Sequence, residues 1–470
     1  MVDDAPKVIA LGLAGVMLGL IAVVPMFYGH DSQRVGQIVI AVFSFVIVFA
    51  GCTVYKHDFF DRSTRLIASL ILLLGLASVF GARHVQWALV EFSLFVACCC
   101  VASACATARS RHGSSIDLFF GWFVVLLCGA KLAQFMASGV AAFVSMSPTI
   151  NADTLIEGFS NKRFYGQFQT FTLPLLAFPL LLTTAKRSAK AWVFVLLACW
   201  WMIAICGGTR GTWLGVSCAA AVMFFCGPLA RRWVGWQLCA AASGLLLFWC
   251  FFSLLPDYLG IEIVNFAGDR LNTSLSARDI IWHQAWEMIK ERPLLGYGPM
   301  HFADIHNPVA AHPHQAILQW ACEWGVPSTL LVGFLAARGL LATLKLIRSK
   351  AMSSEPVNLL RICLFASLLG AITQSMVDGV IVMPYSQVWL AIVVGWLMGI
   401  HEWTVTPRPS GPILRWGWMA TMALAVGFLM YVIARDLPHL NERDQQYAHD
   451  FGGNLQPRFW EQGVIAVKVQ

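Results

Sequence analysis

What this sequence has least of is charge. Asp, Glu, Lys and Arg make up 12% of its 470 residues, against roughly 25% in an ordinary soluble domain, while 58% of the chain is hydrophobic. That balance excludes a water-soluble globular protein. The apolar residues come in blocks of bilayer-spanning length, so one integral membrane domain replaces the usual division of length by about 150 residues. A basic stripe interleaved with exposed aromatics is also missing: the net charge is +7 and the Lys and Arg residues fall in short loops, which argues against nucleic acid as a partner. The 14 cysteines lie in hydrophobic stretches, where Cys acts as a small apolar residue. They form neither a disulfide framework nor a CxxC metal site.

What is present is a series of predominantly apolar runs near 8–28, 35–55, 66–82, 87–107, 118–137, 168–184, 191–206, 212–227, 236–256, 316–337, 358–376, 385–401 and 417–434. Most approach the ~20 residues of a spanning helix, which predicts an all-α integral membrane fold with 12–13 transmembrane helices. Asp3 and Asp4 flank the first run beside Lys7 and no small-residue cleavage site follows, so it is expected to stay as a membrane helix. Residues 1–434 then form the polytopic domain and 435–470 a short C-terminal tail. With thirteen helices that tail lies outside; with twelve, both termini are cytoplasmic.

Basic residues set the orientation. Lys56, Arg62, Arg65, Arg109, Arg111, Lys186, Arg187, Lys190, Arg231, Arg232, Arg338, Lys345, Arg348, Lys350, Arg408 and Arg415 share one side, and the alternate loops hold few. The positive-inside rule makes the rich side cytoplasmic. Two longer segments, about 146–167 and about 257–315, then face outward. The larger is unusually rich in ionisable groups, including Arg270, Arg278, Lys290 and five histidines, so it is the expected catalytic loop. Within it, Ser276 precedes Asp279 at capping-box spacing, Ile281, Trp282, Ala285, Trp286 and Ile289 recur at helical intervals, and Pro293 ends the run. This pattern predicts an amphipathic helix lying in the interface.

Arg210 is the sole charged residue between 191 and 230 and sits among three glycines. The turn places a cation at the outer face, where its planar fork of donors suits phosphate or carboxylate oxygens; a turn residue touching lipid headgroups has the same pattern. Arg278, in the first turn of the interfacial helix, is open to the same two readings. His314 follows Pro313, which fits a helix start, and a neutral imidazole there can accept a hydroxyl proton. A satisfied interfacial His is the alternative, as is a metal site with His312 and His301 or His306, although no HExxH or Cys/His spacing is present. Glu91 and Lys131 interrupt two helices and are expected to pair with one another as a structural ion pair.

Four segments carry a family resemblance: FSNKRFYGQFQTFTLPL at 159–175, GGTRGTW at 207–213, SARDIIWHQAWEMIKERPLLGYG at 276–298 and HPHQAILQWACEWGV at 312–326. Together they resemble the bacterial O-antigen ligase superfamily, which includes O-antigen polymerases and the protein O-oligosaccharyltransferases that glycosylate pilins. The likeness spans roughly 150–400, the expected ligase-like core. It matches Arg210 and Arg278 to the family's functional arginines, His314 to its histidine and Arg163 to a basic position before the sixth helix. Gln315 stands where the family commonly has Asn; both are neutral amides that donate and accept. The resemblance implies a multi-pass protein of the bacterial inner membrane, in contact with membrane lipid, whose active site faces the periplasm. The implied reaction is metal-independent and inverting, uses no cofactor, and moves a preassembled glycan from undecaprenyl diphosphate to an acceptor hydroxyl. In that scheme Arg210 and Arg278 hold the diphosphate, His314 is the general base, and Arg163, Gln315, Arg270 and Lys290 are further substrate-binding candidates. A lipid A-core acceptor makes an O-antigen ligase, a pilin Ser or Thr an oligosaccharyltransferase, and a growing glycan a polymerase. From a different class, a lipid-carrier flippase or transporter would use Glu91, Lys131 and Asp378 to line a path, but no inverted repeat is visible.

Overall fold

The computed structural model describes residues 5–54, 62–145, 148–266, 278–401, 411–452 and 455–465. Helices dominate, because backbone groups in lipid must pair within their own segment. α1 (Ala5–Val23), α2 (His30–Val54), α3 (Arg62–Phe80), α4 (Val85–His112) and α5 (Ser114–Val144) run back and forth. After β1 (Thr149–Asn151) and the one-turn α6 (Ala152–Leu155) come α7 (Lys162–Leu176), α8 (Phe178–Leu181), α9 (Arg187–Cys206), α10 (Arg210–Phe224) and α11 (Pro228–Trp249). The large loop holds α12 (Leu255–Leu259), β2 (Glu262–Val264) and α13 (Arg278–Glu291). The chain then continues through α14 (Ala316–Trp324), α15 (Val326–Ser349), α16 (Pro356–Ser375), α17 (Pro384–Gly399), α18 (Pro412–Asp436) and α19 (Leu440–Phe451).

The expected all-α membrane fold is present, and among the described residues nine helical stretches are long and apolar enough to cross a membrane on their own. α7, α10 and α17, at 15, 15 and 16 residues, are shorter. α7 and α17 lie inside the bundle, where neighbouring helices replace lipid. Where α7, with Pro174 inside it, gives way to α8, Gln237 and Trp233 of α11 donate to the carbonyls of Leu173 (2.8 Å) and Pro174 (3.1 Å), which keeps those groups paired away from water. α15, by contrast, presents Leu330, Phe334 and Leu341 outward, as a lipid-facing helix does.

Two expectations need correction. The apolar run at 316–337 is not one helix: Gly325 (φ 84°) breaks it into α14 and α15. A Cβ at that glycine would lie 2.1 Å from the Leu294 carbonyl oxygen, so hydropathy is continuous there while the backbone is not. Glu91 and Lys131 do not pair. Lys131 donates to Gln134 and to the Glu157 carbonyl, both at 2.7 Å, and Glu91 lies 3.5 Å from Arg458.

The long loops share one face. β1 and β2 pair in parallel with Thr149 opposite Glu262, Ile150 opposite Ile263 and Asn151 opposite Val264, tying the two segments together ahead of α7. The chain after α18 lies on this face too, since Gln456 donates to the Asn307 carbonyl and the Ile465 amide to that of Ala303.

Candidate functional site

Helix starts supply the cations. Asn161 caps α7, its side chain accepting the Arg163 amide at 2.8 Å. This sets Lys162 and Arg163 in the first turn. Lys162 turns inward to the Asn265 carbonyl (2.6 Å) and Asp153 (3.0 Å), whereas Arg163 is exposed. α10 begins at Arg210 immediately after the glycine turn. Thr209 packs on Gly166 of α7, where a Cβ would come within 2.5 Å of its side chain, and the Thr212 hydroxyl donates to the Gly166 carbonyl at 2.7 Å. The absence of a side chain at Gly166 therefore lets the starts of α7 and α10, with Arg163 and Arg210, lie side by side.

The third cation arrives from the large loop. Arg278 opens α13 and donates to the Val377 carbonyl at 3.0 Å, and one turn on Trp282 donates to the Pro313 carbonyl, also at 3.0 Å. One helix thus docks on both the α16–α17 turn and the segment carrying His314. The expected capping residue Ser276 and the candidate Arg270 lie outside the described residues.

His314 is not in the first turn of a helix. It precedes the Gln315 cap of α14 and adopts φ 53°, a left-handed conformation that His tolerates better than most residues. Its amide faces Nδ1 of His312 at 3.3 Å, and the two rings meet edge to face with centroids 4.1 Å apart. The His312 ring packs against Gly379, where a Cβ would fall 2.5 Å from it. Across this contact Asp378 Oδ1 stands 3.9 Å from His314 Nδ1, too far for a direct hydrogen bond but close enough for strong charge coupling. Asp378 is itself fixed by Gln374 (3.2 Å) and by the Gly379 amide (2.8 Å), and Gln374 also accepts from Thr170 of α7 at 2.5 Å.

The charges interact as a group. Burial holds the His314 imidazole below the ordinary His range; Asp378 pulls it upward, and Arg163 and Arg278 push it down. The Arg278 guanidinium is lowered by burial, is supported by Asp378, and feels Arg163 and Arg210 as repelling neighbours. Three mutually interacting arginines and a single carboxylate leave an excess of positive charge beside the imidazole. Such a cluster can bind a multiply charged anion and accept a proton next to it.

Not every candidate joins it. Lys290 lies three turns along α13, paired with Glu287 at 2.7 Å. Gln315 spends its side-chain oxygen on the Leu318 amide at 2.5 Å. The other loop histidines go elsewhere: His301 packs on His84, accepts the His84 amide at 2.9 Å and faces the Pro299 carbonyl, while His306 stacks on Phe451. Sequence reading missed Gln374, grouped His312 with His314 only as a candidate metal ligand, and gave Asp378 only a transport role. The available signal was an acid between two apolar runs on the face of the His314 loop.

No curated protein matches the chain. Residues 175–333, about a third of the sequence, match the family model described as O-Antigen ligase. The matched stretch includes Arg210, Arg278, His314 and Gln315 and excludes Arg163, Gln374 and Asp378. Over that third of its length the chain is similar to the O-antigen ligase family.

Proposed function

We propose that this protein is an O-antigen ligase-type glycosyltransferase of a bacterial inner membrane. It moves a preassembled glycan from undecaprenyl diphosphate to a sugar hydroxyl of lipid A-core at the periplasmic face. The observation that carries this reading is that Arg163 and Arg278, from two helix starts, act on the His314 imidazole beside Asp378, with Arg210 of a third helix start next to Arg278.

In this scheme the arginines grip the donor diphosphate and stabilise the negative charge that grows on it as the anomeric carbon–oxygen bond breaks. Fixed guanidinium groups do the electrostatic work that a divalent ion does elsewhere, so the reaction is proposed to run without metal. His314 turns Nδ1 toward Asp378, which leaves Nε2 to take the proton of the attacking hydroxyl. A new carbon–oxygen bond forms to the acceptor as undecaprenyl diphosphate departs, and the single displacement inverts the anomeric centre. Donor binding also strengthens the base, because neutralising Arg163 and Arg278 removes two influences that depress the imidazole.

The test is reconstitution. Purified protein in lipid nanodiscs is mixed with lipid-linked glycan and either lipid A-core, a pilin or a second donor molecule, in buffer containing EDTA. Glycosylated lipid A-core is the expected product. A glycosylated pilin or a lengthened donor glycan would make the chain an oligosaccharyltransferase or a polymerase, and donor moved across the bilayer with no new glycosidic bond would make it a transporter. Activity lost with EDTA and restored by a divalent ion would overturn the metal-free mechanism.

A further inference from the structure

The segment after α19 runs beneath the His314 loop and carries one fully buried charge, Arg458. Its guanidinium reaches three elements at once: Glu323 of α14 at 2.6 Å, Glu91 of α4 at 3.5 Å, and the carbonyl of Ala311, next to His312, at 3.4 Å. Its main chain is held from the other side. The Arg458 carbonyl accepts from Arg34 Nη2 (2.8 Å) and from His30 (3.1 Å), and the Phe459 carbonyl from Arg34 Nε (2.9 Å). The same Nη2 donates at 2.9 Å to the Val382 carbonyl, which closes the turn that bears Asp378. Glu323 completes the frame by accepting the Phe302 amide at 3.0 Å.

We infer that Arg458 is a positioning residue for transfer, fixing the loop that carries His314 and the turn that carries Asp378 to one point. The inference rests on the base role proposed for His314. Packing alone does not require a guanidinium here. An apolar side chain would fill the same space without desolvating a charge, whereas only a planar fork of donors reaches α4, α14 and the 311 carbonyl together. Through its side chain Arg458 sets the loop, and through its carbonyl and Arg34 it sets the turn, so both halves of the 3.9 Å His314–Asp378 contact depend on it.

The experiment compares Arg458→Lys with the double variant Arg458→Ala/Glu323→Gln. The double variant leaves no charge at position 323, where the carboxylate is fully buried, and keeps an acceptor for the Phe302 amide. Expected for it are a kcat lower by about tenfold or more with donor KM within about twofold of wild type, the signature of lost alignment rather than lost binding. Arg458→Lys, which retains the charge against Glu323, recovers part of the rate. Hydrogen–deuterium exchange supplies a readout independent of turnover: amides at 308–315 and 377–383 exchange faster in the double variant, while the interior of α16 does not change. Wild-type kcat in a folded double variant, or unaltered exchange in those two segments, overturns the inference. His314→Ala is the separate control for the base: if that variant still transfers, the base reading falls, and exchange at 308–315 still decides whether Arg458 holds the loop.

Discussion

At the scale of single residues, His314 is held by opposing influences. Its left-handed backbone costs on the order of 1–3 kcal/mol, and the imidazole that this conformation presents is depressed by burial and two arginines while Asp378 raises it. A base works in its deprotonated form, so kcat should rise as pH passes through the imidazole pKa. Asp378→Asn removes the raising influence, so the acid limb of the kcat–pH profile is expected to move to lower pH and the plateau to fall. Arg163→Gln removes a depressing one and should move the limb to higher pH. Opposite shifts measured in one assay would confirm the sign of both couplings. The arginines allow a second comparison. Arg210→Lys and Arg278→Lys keep the charge but lose the fork, and each is expected to reduce kcat by about a hundredfold. Steady-state kinetics showing both Lys variants at wild-type rates would reduce these arginines to generic lipid-facing cations.

At the scale of elements, the break between α14 and α15 shows what hydropathy reads and what it does not. Most of the other apolar runs coincide with helices, the run at 168–184 being divided between α7 and α8, because lipid leaves the backbone no alternative to internal hydrogen bonds, and composition reports that directly. At Gly325 the interruption is a left-handed glycine whose missing side chain lets the Leu294 carbonyl, 31 residues away in sequence, approach the backbone. Gly325→Ala should therefore lower the Tm in detergent by an amount matching roughly 2–4 kcal/mol of strain and clash. Gly333→Ala, one helix face further into α15 with open space around it, should leave the Tm unchanged or slightly raised. The site divides the same way. Arg210, Arg278 and His314 were legible because each is a polar exception in apolar surroundings or a member of a family motif. Asp378 was visible as an exception, but its partner is defined only by the docking of α13, α14 and the α16–α17 turn. The role of Arg458 was not legible at all, since a polar tail in a sequence gives no sign of what it fits beneath.

At the scale of the whole molecule, the two faces differ in charge, and the proposed orientation can be checked without any substrate. Tyr258 on the loop face and Met352 on the opposite face are both strongly exposed, at 87% and 80%. In intact spheroplasts, a membrane-impermeant thiol reagent should label Tyr258→Cys immediately and Met352→Cys only after lysis, as read by mass spectrometry of the labelled peptides. The reverse pattern would put the arginine cluster in the cytoplasm. The bonds from His30 and Arg34 to Arg458 and Phe459 span more than 420 residues of chain. During synthesis, α2 enters the bilayer long before those partners emerge from the ribosome. A chain inserted as far as α17 already carries Arg163, Arg210, Arg278, His314 and Asp378, with α13 docked on both the His314 loop and the Asp378 turn, but it lacks the Arg458 anchor beneath them. On the inference made for Arg458, a nonsense mutation between α17 and that residue would leave a membrane protein that inserts with its reactive groups present but poorly aligned, so that the proposed transfer is slowed while the membrane fold is kept.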